Sequence, residues 1–370
     1  MRILHFYKSA IPDTMGGVEQ VISQLAVQSV NIGISTDILS LTSKQVPRVI
    51  AMNGYTLHRA RLNLQLASTG ISLSAIWRFK SLVKTANLVH YHFPWPFMDV
   101  VHFLCRVKKP TVVTYHSDII RQKFLLKLYA PLMYLFLRSV DHIVATSPNY
   151  LATSDVLYRY RKKVTVIPIG LDKSSYPVPT QDLLTHWQQK LGSKFFLFVG
   201  VMRYYKGLHI LMEAAQGTDY PIVILGAGPV EQEIKDHAKK NGLTNIHFLG
   251  ALPDNDKVAL LMLSYAVLFP SHLRSEAFGI SLLEGAMYGK PMISSEIGTG
   301  TTFINIANET GLVVPPSDPD ALRSAMRHLW EKPELAAEMG RRAEERYWTY
   351  FTAKKMTDSY VELYKSLLTS

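Results

Sequence analysis

Cysteine is almost missing from this chain: Cys105 is the single one in 370 residues. That excludes an internal disulfide framework and any cysteine-held zinc or iron–sulfur centre, and it fits a reducing compartment. Long apolar runs are missing too. The longest, from Leu128 to Leu137, has ten residues, short of the ~18–20 that span a bilayer. The opening MRILHFYKSAIPD has no signal-peptide core. Charged residues are sparse at 19%, against a hydrophobic fraction of 48%, a balance for packed cores and not for disorder. No Ser/His/Asp or Cys/His nucleophilic set stands out, and the thirteen histidines lack helical metal spacing. The expectation is a soluble, intracellular protein of about two domains.

What is present is unevenly spread. Residues 1–180 hold 21 Lys and Arg against 8 Asp and Glu, a net +13, whereas residues 181–370 come to −2. The basic half suits an anionic partner: an acidic lipid surface, a phosphorylated substrate or nucleic acid. No nucleic-acid-binding motif supports the last. A basic solvated face without a partner is the plain alternative.

Short apolar runs alternate with helical patterns. Strands are expected at 2–7, 35–41, 87–91, 111–115, 141–146 and 164–169, and helices at 18–32, 74–85, 97–107 and 122–139. After the polar stretch DKSSYPVPTQD (172–182), a linker candidate, the series restarts with strands at 195–200, 221–226, 245–250, 266–271, 291–296 and 311–316. Helices are expected at 206–216, 229–241, 255–265, 279–289 and 318–331, then two or three more in the tail. Strand–helix alternation means parallel sheets. The reading is α/β, two Rossmann-like doubly wound domains facing across a cleft: residues 1–175, residues 176–350, and a final helix, 351–370, that returns to the first domain.

In such sheets ligands bind beyond the carboxyl ends of the strands, and the unusual residues fall there. After FFLFVG come Arg203 and Lys206, a planar fork and a point charge where a helix begins. Cations oppose the dipole at a helix N-terminus, so an anion such as a diphosphate accounts for them. After AVLFPSHLRS come Glu276 and Glu284, eight apart across a loop-to-helix junction. Gly279 lets a ligand approach the backbone, and the amides around Phe278, Gly279, Ile280 and Ser281 form an anion site. Glu284 suits a pair of ribose hydroxyls. Gly16-Gly17 after the first strand is a reduced phosphate-loop signal. Gly226-Ala-Gly228-Pro-Val-Glu231 starts as G-x-G but has Glu at the third glycine position, which disfavours a nicotinamide dinucleotide. Pro229 would open the next helix. Asp254-Asn-Asp256 and Asp318-Pro-Asp320 read as helix starts ahead of metal ligands. His90 and His92 end a strand, and His116 ends the strand TVVTY.

Together these residues resemble retaining glycosyltransferases of family 4, which have the GT-B fold. The resemblance rests on Gly16-Gly17, VTYHSD (113–118), Arg203 and Lys206 in VGVMRYYKG, the E-x7-E pair, LLEGAMYGKPMISSEIGTGT (282–301) and GLVVPP (311–316). Val201 and Gly285 depart from the usual Gly and Ala. The resemblance implies that Arg203 and Lys206 bind the donor diphosphate, Glu284 the ribose and Glu276 the donor sugar. It places Gly17 at the diphosphate, His116 at the sugar near the reacting centre, and Asp254 and Lys257 at the nucleobase. It implies no metal and no cofactor beyond a nucleotide-sugar donor.

SEIGTGTTFIN and YHSDIIRQK resemble members that transfer α-mannose from GDP-mannose in bacterial O-antigen or exopolysaccharide assembly. That implies a lipid-linked oligosaccharide acceptor and a peripheral place on the anionic cytoplasmic face of the inner membrane. Residues 120–138, with Arg121, Lys123 and Lys127, would lie on that surface or form a core helix broken at Pro131. Other donors (UDP-GlcNAc, UDP-glucose), a nucleotide-sugar 2-epimerase and a basic nucleic-acid-binding protein are the competing readings.

Overall fold

The computed structural model describes residues 1–44, 46–66, 69–119 and 123–369. By packing, the chain divides into two units: Met1–Leu171 with the chain from Thr352 onward, and Asp172–Phe351.

The first unit runs β1 (Arg2–Phe6), α1 (Gly17–Val30), β2 (Ser35–Thr42), β3 (Val49–Met52), β4 (Tyr55–Arg61), β5 (Leu64–Leu66), β6 (Thr69–Ile71), α2 (Leu73–Thr85), β7 (Leu88–Phe93), α3 (Pro96–Leu104), β8 (Thr111–Tyr115), α4 (Lys123–Ser139), β9 (His142–Ala145), α5 (Pro148–Thr153), α6 (Asp155–Arg159) and β10 (Val164–Val166). Its sheet has the order β10-β9-β8-β7-β1-β2-β4-β3. All neighbours are parallel except β3, which turns back along β4. Strand order reverses between β1 and β7, the switch point where such sheets bind ligands.

The second unit runs α7 (Gln181–Leu191), β11 (Phe196–Val199), α8 (Leu208–Ala215), β12 (Ile222–Leu225), α9 (Glu231–Lys240), β13 (Ile246–Gly250), α10 (Asp254–Leu263), β14 (Ala266–Phe269), α11 (Ile280–Met287), β15 (Met292–Ser295), α12 (Thr301–Ile304), β16 (Gly311–Val314), α13 (Pro319–Glu331) and α14 (Pro333–Tyr350). Its all-parallel sheet, β13-β12-β11-β14-β15-β16, switches between β11 and β14. β11, β12, β14 and β15 are buried along their whole length, so they read as continuous apolar runs.

The last helix, α15 (Ala353–Thr369), belongs to the first unit. Leu171 bridges Thr352, and the Ala353 amide donates to the Leu171 carbonyl at 2.9 Å. A Cβ on Gly170 would overlap the Thr352 carbonyl. α15 then packs on α1 and buries Met356, Tyr360 and Tyr364.

The sequence pattern missed β3 to β6 and the helices α5, α6, α7 and α12. β4 carries Arg59, whose guanidinium grips Asp13 through two bonds of 2.8 and 2.9 Å and is buried. α7 begins inside the expected linker, capped by Thr180, and is polar apart from Trp187 and Leu191, which are buried. Two further corrections concern prolines. α4 is one helix through Pro131, whose exposed position leaves the freed Lys127 carbonyl to water. Pro229 does not open α9, which starts at Glu231. Residues 120–122, including Arg121, and the side chain of Lys123 lie outside the described residues.

Candidate functional site

At the β11/β14 switch point the two strand-to-helix loops are tied together. The His272 amide donates to the Tyr205 carbonyl at 3.0 Å. Gly207, in the left-handed region at φ +72°, caps α8, and a Cβ there would overlap the Pro270 carbonyl. Only glycine satisfies both demands. Lys206 is thereby brought to Glu276, and the two form an ion pair; Ser271 Oγ donates to the same carboxylate at 3.3 Å. The Lys206 ammonium also lies 4.9 Å from the centre of the Phe269 ring, and the far edge of that ring abuts Gly279. Gly279, at φ +100°, caps α11. The first α11 amides have no helical acceptor, so the lysine, the glutamate and these amides share one corner. Arg203, four residues beyond β11, is exposed and has no ion-pair partner among the described residues.

One turn into α11, Glu284 is buried, at 3% exposure. A buried carboxylate needs compensation, and it has two donors: Lys257 Nζ and Tyr176 OH, each 3.0 Å from Oε1. Lys257 also holds Asp254 at 3.0 Å. Burial works against the Lys257 ammonium, but Glu284 and Asp254 outweigh it and keep its pKa above the usual lysine value. Tyr176 sits in the polar stretch read as linker, so nothing nearby marked it as a site residue.

In the first unit, Gly16 caps α1 and Gly17 begins it. The Glu19 carboxylate folds back over Gly16 and accepts from Ser9 at 2.7 Å and Thr14 at 3.1 Å. An anion approaching these amides meets Glu19 first. His116, just past β8, is buried and bonded through Nε2 to His92 Nδ1 at 3.0 Å. His92 Nε2 in turn meets His5 Nδ1 at 3.0 Å. His90 fills the same row, between Tyr364 OH and Thr114 Oγ1, each at 2.7 Å. The sequence marked His90, His92 and His116 but not His5, because only the β1–β7 register sets His5 opposite His90.

Two families match this chain: "Glycosyl transferases group 1" over residues 183–346 and "Glycosyltransferase Family 4" over residues 15–175. The chain is 65% identical over 353 residues to D-rhamnosyltransferase WbpZ of Pseudomonas aeruginosa, covering 95% of this chain and 93% of that one. It is a family 4 glycosyltransferase. It is also 49% identical, over the full length of both chains, to O-antigen chain mannosyltransferase C of Escherichia coli. Its fold, GT-B, superposes on sucrose-phosphate synthase of Thermosynechococcus elongatus with a TM-score of 0.82 at 21% identity, covering 100% and 99% of the two chains.

The remaining motifs of the glycosyltransferase have partners within the fold. Gly226 and Gly228 let the backbone pass against Gly200 and Met202, where a Cβ at either would overlap. Asp318 caps α13, accepting from the Ala321 amide at 2.9 Å. Asp254 opens α10 without capping it, and Asp256 accepts from Trp187 Nε1 at 2.9 Å. Nitrogens of His5, His90 and His92 lie within 4.8 Å of one another, a spacing open to a metal. His92 stacks on His5 and on His90, at centroid distances of 5.3 and 4.4 Å, while His5 and His90 are tilted by 43° at 4.7 Å, and both His90 nitrogens are taken.

Proposed function

We propose that this glycosyltransferase moves a manno-configured hexose from a GDP-linked donor, with retention, onto a lipid-linked glycan during O-antigen assembly. The observation that carries the donor class is the pairing of relatives: one is named for D-rhamnose, the other for mannose. D-rhamnose is mannose without the C6 hydroxyl, so GDP-mannose and GDP-D-rhamnose differ at one atom. The reading places the enzyme peripherally, on the cytoplasmic face of the inner membrane; among the described residues no helix is long and apolar enough to cross a membrane.

As the bond from C1 to the diphosphate lengthens, positive charge builds at C1 and negative charge on the leaving oxygens. Arg203 and Lys206 supply fixed positive charge, and the α11 amides add oriented dipoles. Before the donor arrives, Glu276 holds Lys206 in place; it then faces the sugar. Glu284, oriented by Tyr176 and Lys257, accepts from the ribose hydroxyls. Asp254 lies within reach of the base on the reading carried by the family, and His116 takes a sugar hydroxyl. The acceptor oxygen enters on the face the diphosphate leaves, and the leaving phosphate takes its proton. Arg203 and Lys206 do the work a metal ion does elsewhere, so activity should persist in excess EDTA.

A thermal-shift panel of GDP, UDP and ADP, followed by GDP-mannose and GDP-D-rhamnose, tests the donor. GDP should stabilise most. A larger shift with UDP would transfer the reading to UDP-GlcNAc or UDP-glucose, and a converted sugar nucleotide in the absence of acceptor would mean an epimerase.

A further inference from the structure

The inner face of the first sheet is unusual in being polar. β1 and β7 set His5 beside His90, β7 and β8 set His92 beside Thr114, and His116 follows β8. Tyr360 and Tyr364 of α15 close over them, Tyr360 OH meeting Thr114 Oγ1 at 2.7 Å. Every ring is buried, from 0% exposure at His90 and His92 to 7% at His116. Burial pushes His5 and His116 down to about 3, and His90 and His92 well below the usual histidine range. All four rings are therefore neutral at pH 7.

Neutral imidazole carries one N–H and one acceptor nitrogen. In the chain His5 Nδ1···Nε2 His92 Nδ1···Nε2 His116, each contact needs one hydrogen, and that condition couples the rings. If His5 donates, all three carry the proton on Nδ1. If His116 donates, all three carry it on Nε2. Mixed arrangements leave a contact with two hydrogens or none, which costs about 1–3 kcal/mol for each buried group left unsatisfied.

We propose that His92 and His5 are positioning residues for His116: the chain fixes the plane of the His116 ring and locks its tautomer to theirs. His116 then presents Nδ1 as a neutral hydrogen-bonding edge of one fixed sense. His116 Nδ1 has no partner among the described residues, and at 7% exposure against 1% for His5 it is the more open end of the chain, the one left for a ligand. This rests on the glycosyl-transfer reading, in which that ligand is a sugar hydroxyl. A row of histidines kept only to seat α15 would not need His5 and His116, neither of which bonds to α15.

Two substitutions at one position separate these roles. Asparagine presents its amide where histidine has Nδ1, glutamine where it has Nε2. His92→Asn therefore retains a partner for His116, and His92→Gln retains one for His5. Turnover should fall about 10–100-fold in His92→Leu, with GDP affinity unchanged. His92→Asn should recover most of it and His92→Gln little. Equal losses in the Asn and Gln variants would overturn the proposal. Should these variants fail to fold, ¹⁵N spectra of histidine-labelled wild type decide: His5, His92 and His116 should share one tautomer and not titrate between pH 6 and 9. Unlike tautomers, or a titrating His116, would overturn it. The spectra read the chain without turnover, so a wild type inactive on every sugar nucleotide would sink the transfer reading alone.

Discussion

The two sheets of this enzyme share a topology and place a buried polar cluster at each switch point, yet they solve burial differently. At β11/β14 the cluster is charged, with Lys206 on Glu276 and Lys257 shared between Glu284 and Asp254. At β1/β7 it is neutral, a row of imidazoles with Thr114, Tyr360 and Tyr364. On the proposed function, paired charges hold a cation ready for an anion that displaces its partner. A neutral row offers direction without charge. On the proposed function, the difference gives electrostatic work to the second unit and orientation to the first.

The largest effect should come from breaking the charged cluster. Arg203→Ala or Lys206→Ala should each lower turnover about 10²–10³-fold, the scale of losing one preorganised charge-stabilising group. Lys206→Ala also leaves Glu276 half-compensated by Ser271 alone, so its melting temperature should fall as well; Arg203, exposed, should leave stability untouched. Near-normal kcat in either variant removes the clamp.

Within the same cluster the two glutamates should part. Glu284→Ala should weaken GDP binding roughly 10–100-fold, the range for hydrogen bonds to a charged group, by calorimetric titration. Glu276→Gln should reduce kcat while GDP affinity stays within a few-fold. Equal GDP affinity in wild type and Glu284→Ala ends the ribose assignment.

The charged cluster was more legible in the sequence than the neutral one, for a physical reason. Arg203, Lys206 and Glu276 fall between apolar runs and Glu284 one turn into the apolar helix α11, where charge is conspicuous. Of the histidine row, His5, His90 and His92 lie inside β1 and β7 and His116 just past β8, and the sequence shows three of the rings without their connection. The row's meaning depends on register between β1, β7 and β8, which no local pattern encodes. Arg59 and Trp187 carry no local signal either, since their partners Asp13 and Asp256 are 46 and 69 residues away. Strands with purely apolar interiors were readable to within a residue or two.

Acid should separate the two sheets. The folded rings of His5 and His116 bind a proton only near pH 3, whereas unfolded histidine does so near 6.5. Between those values the unfolded chain takes up protons that the folded rings refuse. Stability is therefore complete above about pH 6.5 and is lost as pH falls, by about 1.4 kcal/mol per pH unit for each such ring. Hydrogen exchange, corrected for intrinsic rates, should quicken in β1 and β7 between pH 7.5 and 5.5 more than in β11 and β14. Equal change in both sheets would mean that the neutral row is not what acid attacks.

The smallest effect concerns the surface of the first unit. Its half of the sequence carries the +13, and α2, α3 and α4 are neighbours that leave apolar side chains in solvent: Leu73 and Trp77, Leu104, Leu125, Leu128 and Leu135. Lys80, Lys84, Arg106, Lys108, Lys127 and Arg138 are exposed on or beside the same helices. Apolar and basic groups together suit the interface of an anionic leaflet. Each Lys or Arg there contributes about 1 kcal/mol, and a Debye length of about 8 Å at physiological salt screens it strongly. The protein should float with phosphatidylglycerol vesicles at low salt and come off as salt rises. Lys127→Glu should weaken that binding roughly fivefold or more, and Arg138→Glu similarly. Neutral vesicles should bind weakly, and only through the leucines and Trp77. If neutral and anionic vesicles bind equally, or neither binds, the basic surface does not serve a membrane and the contrast between the units is confined to their switch points.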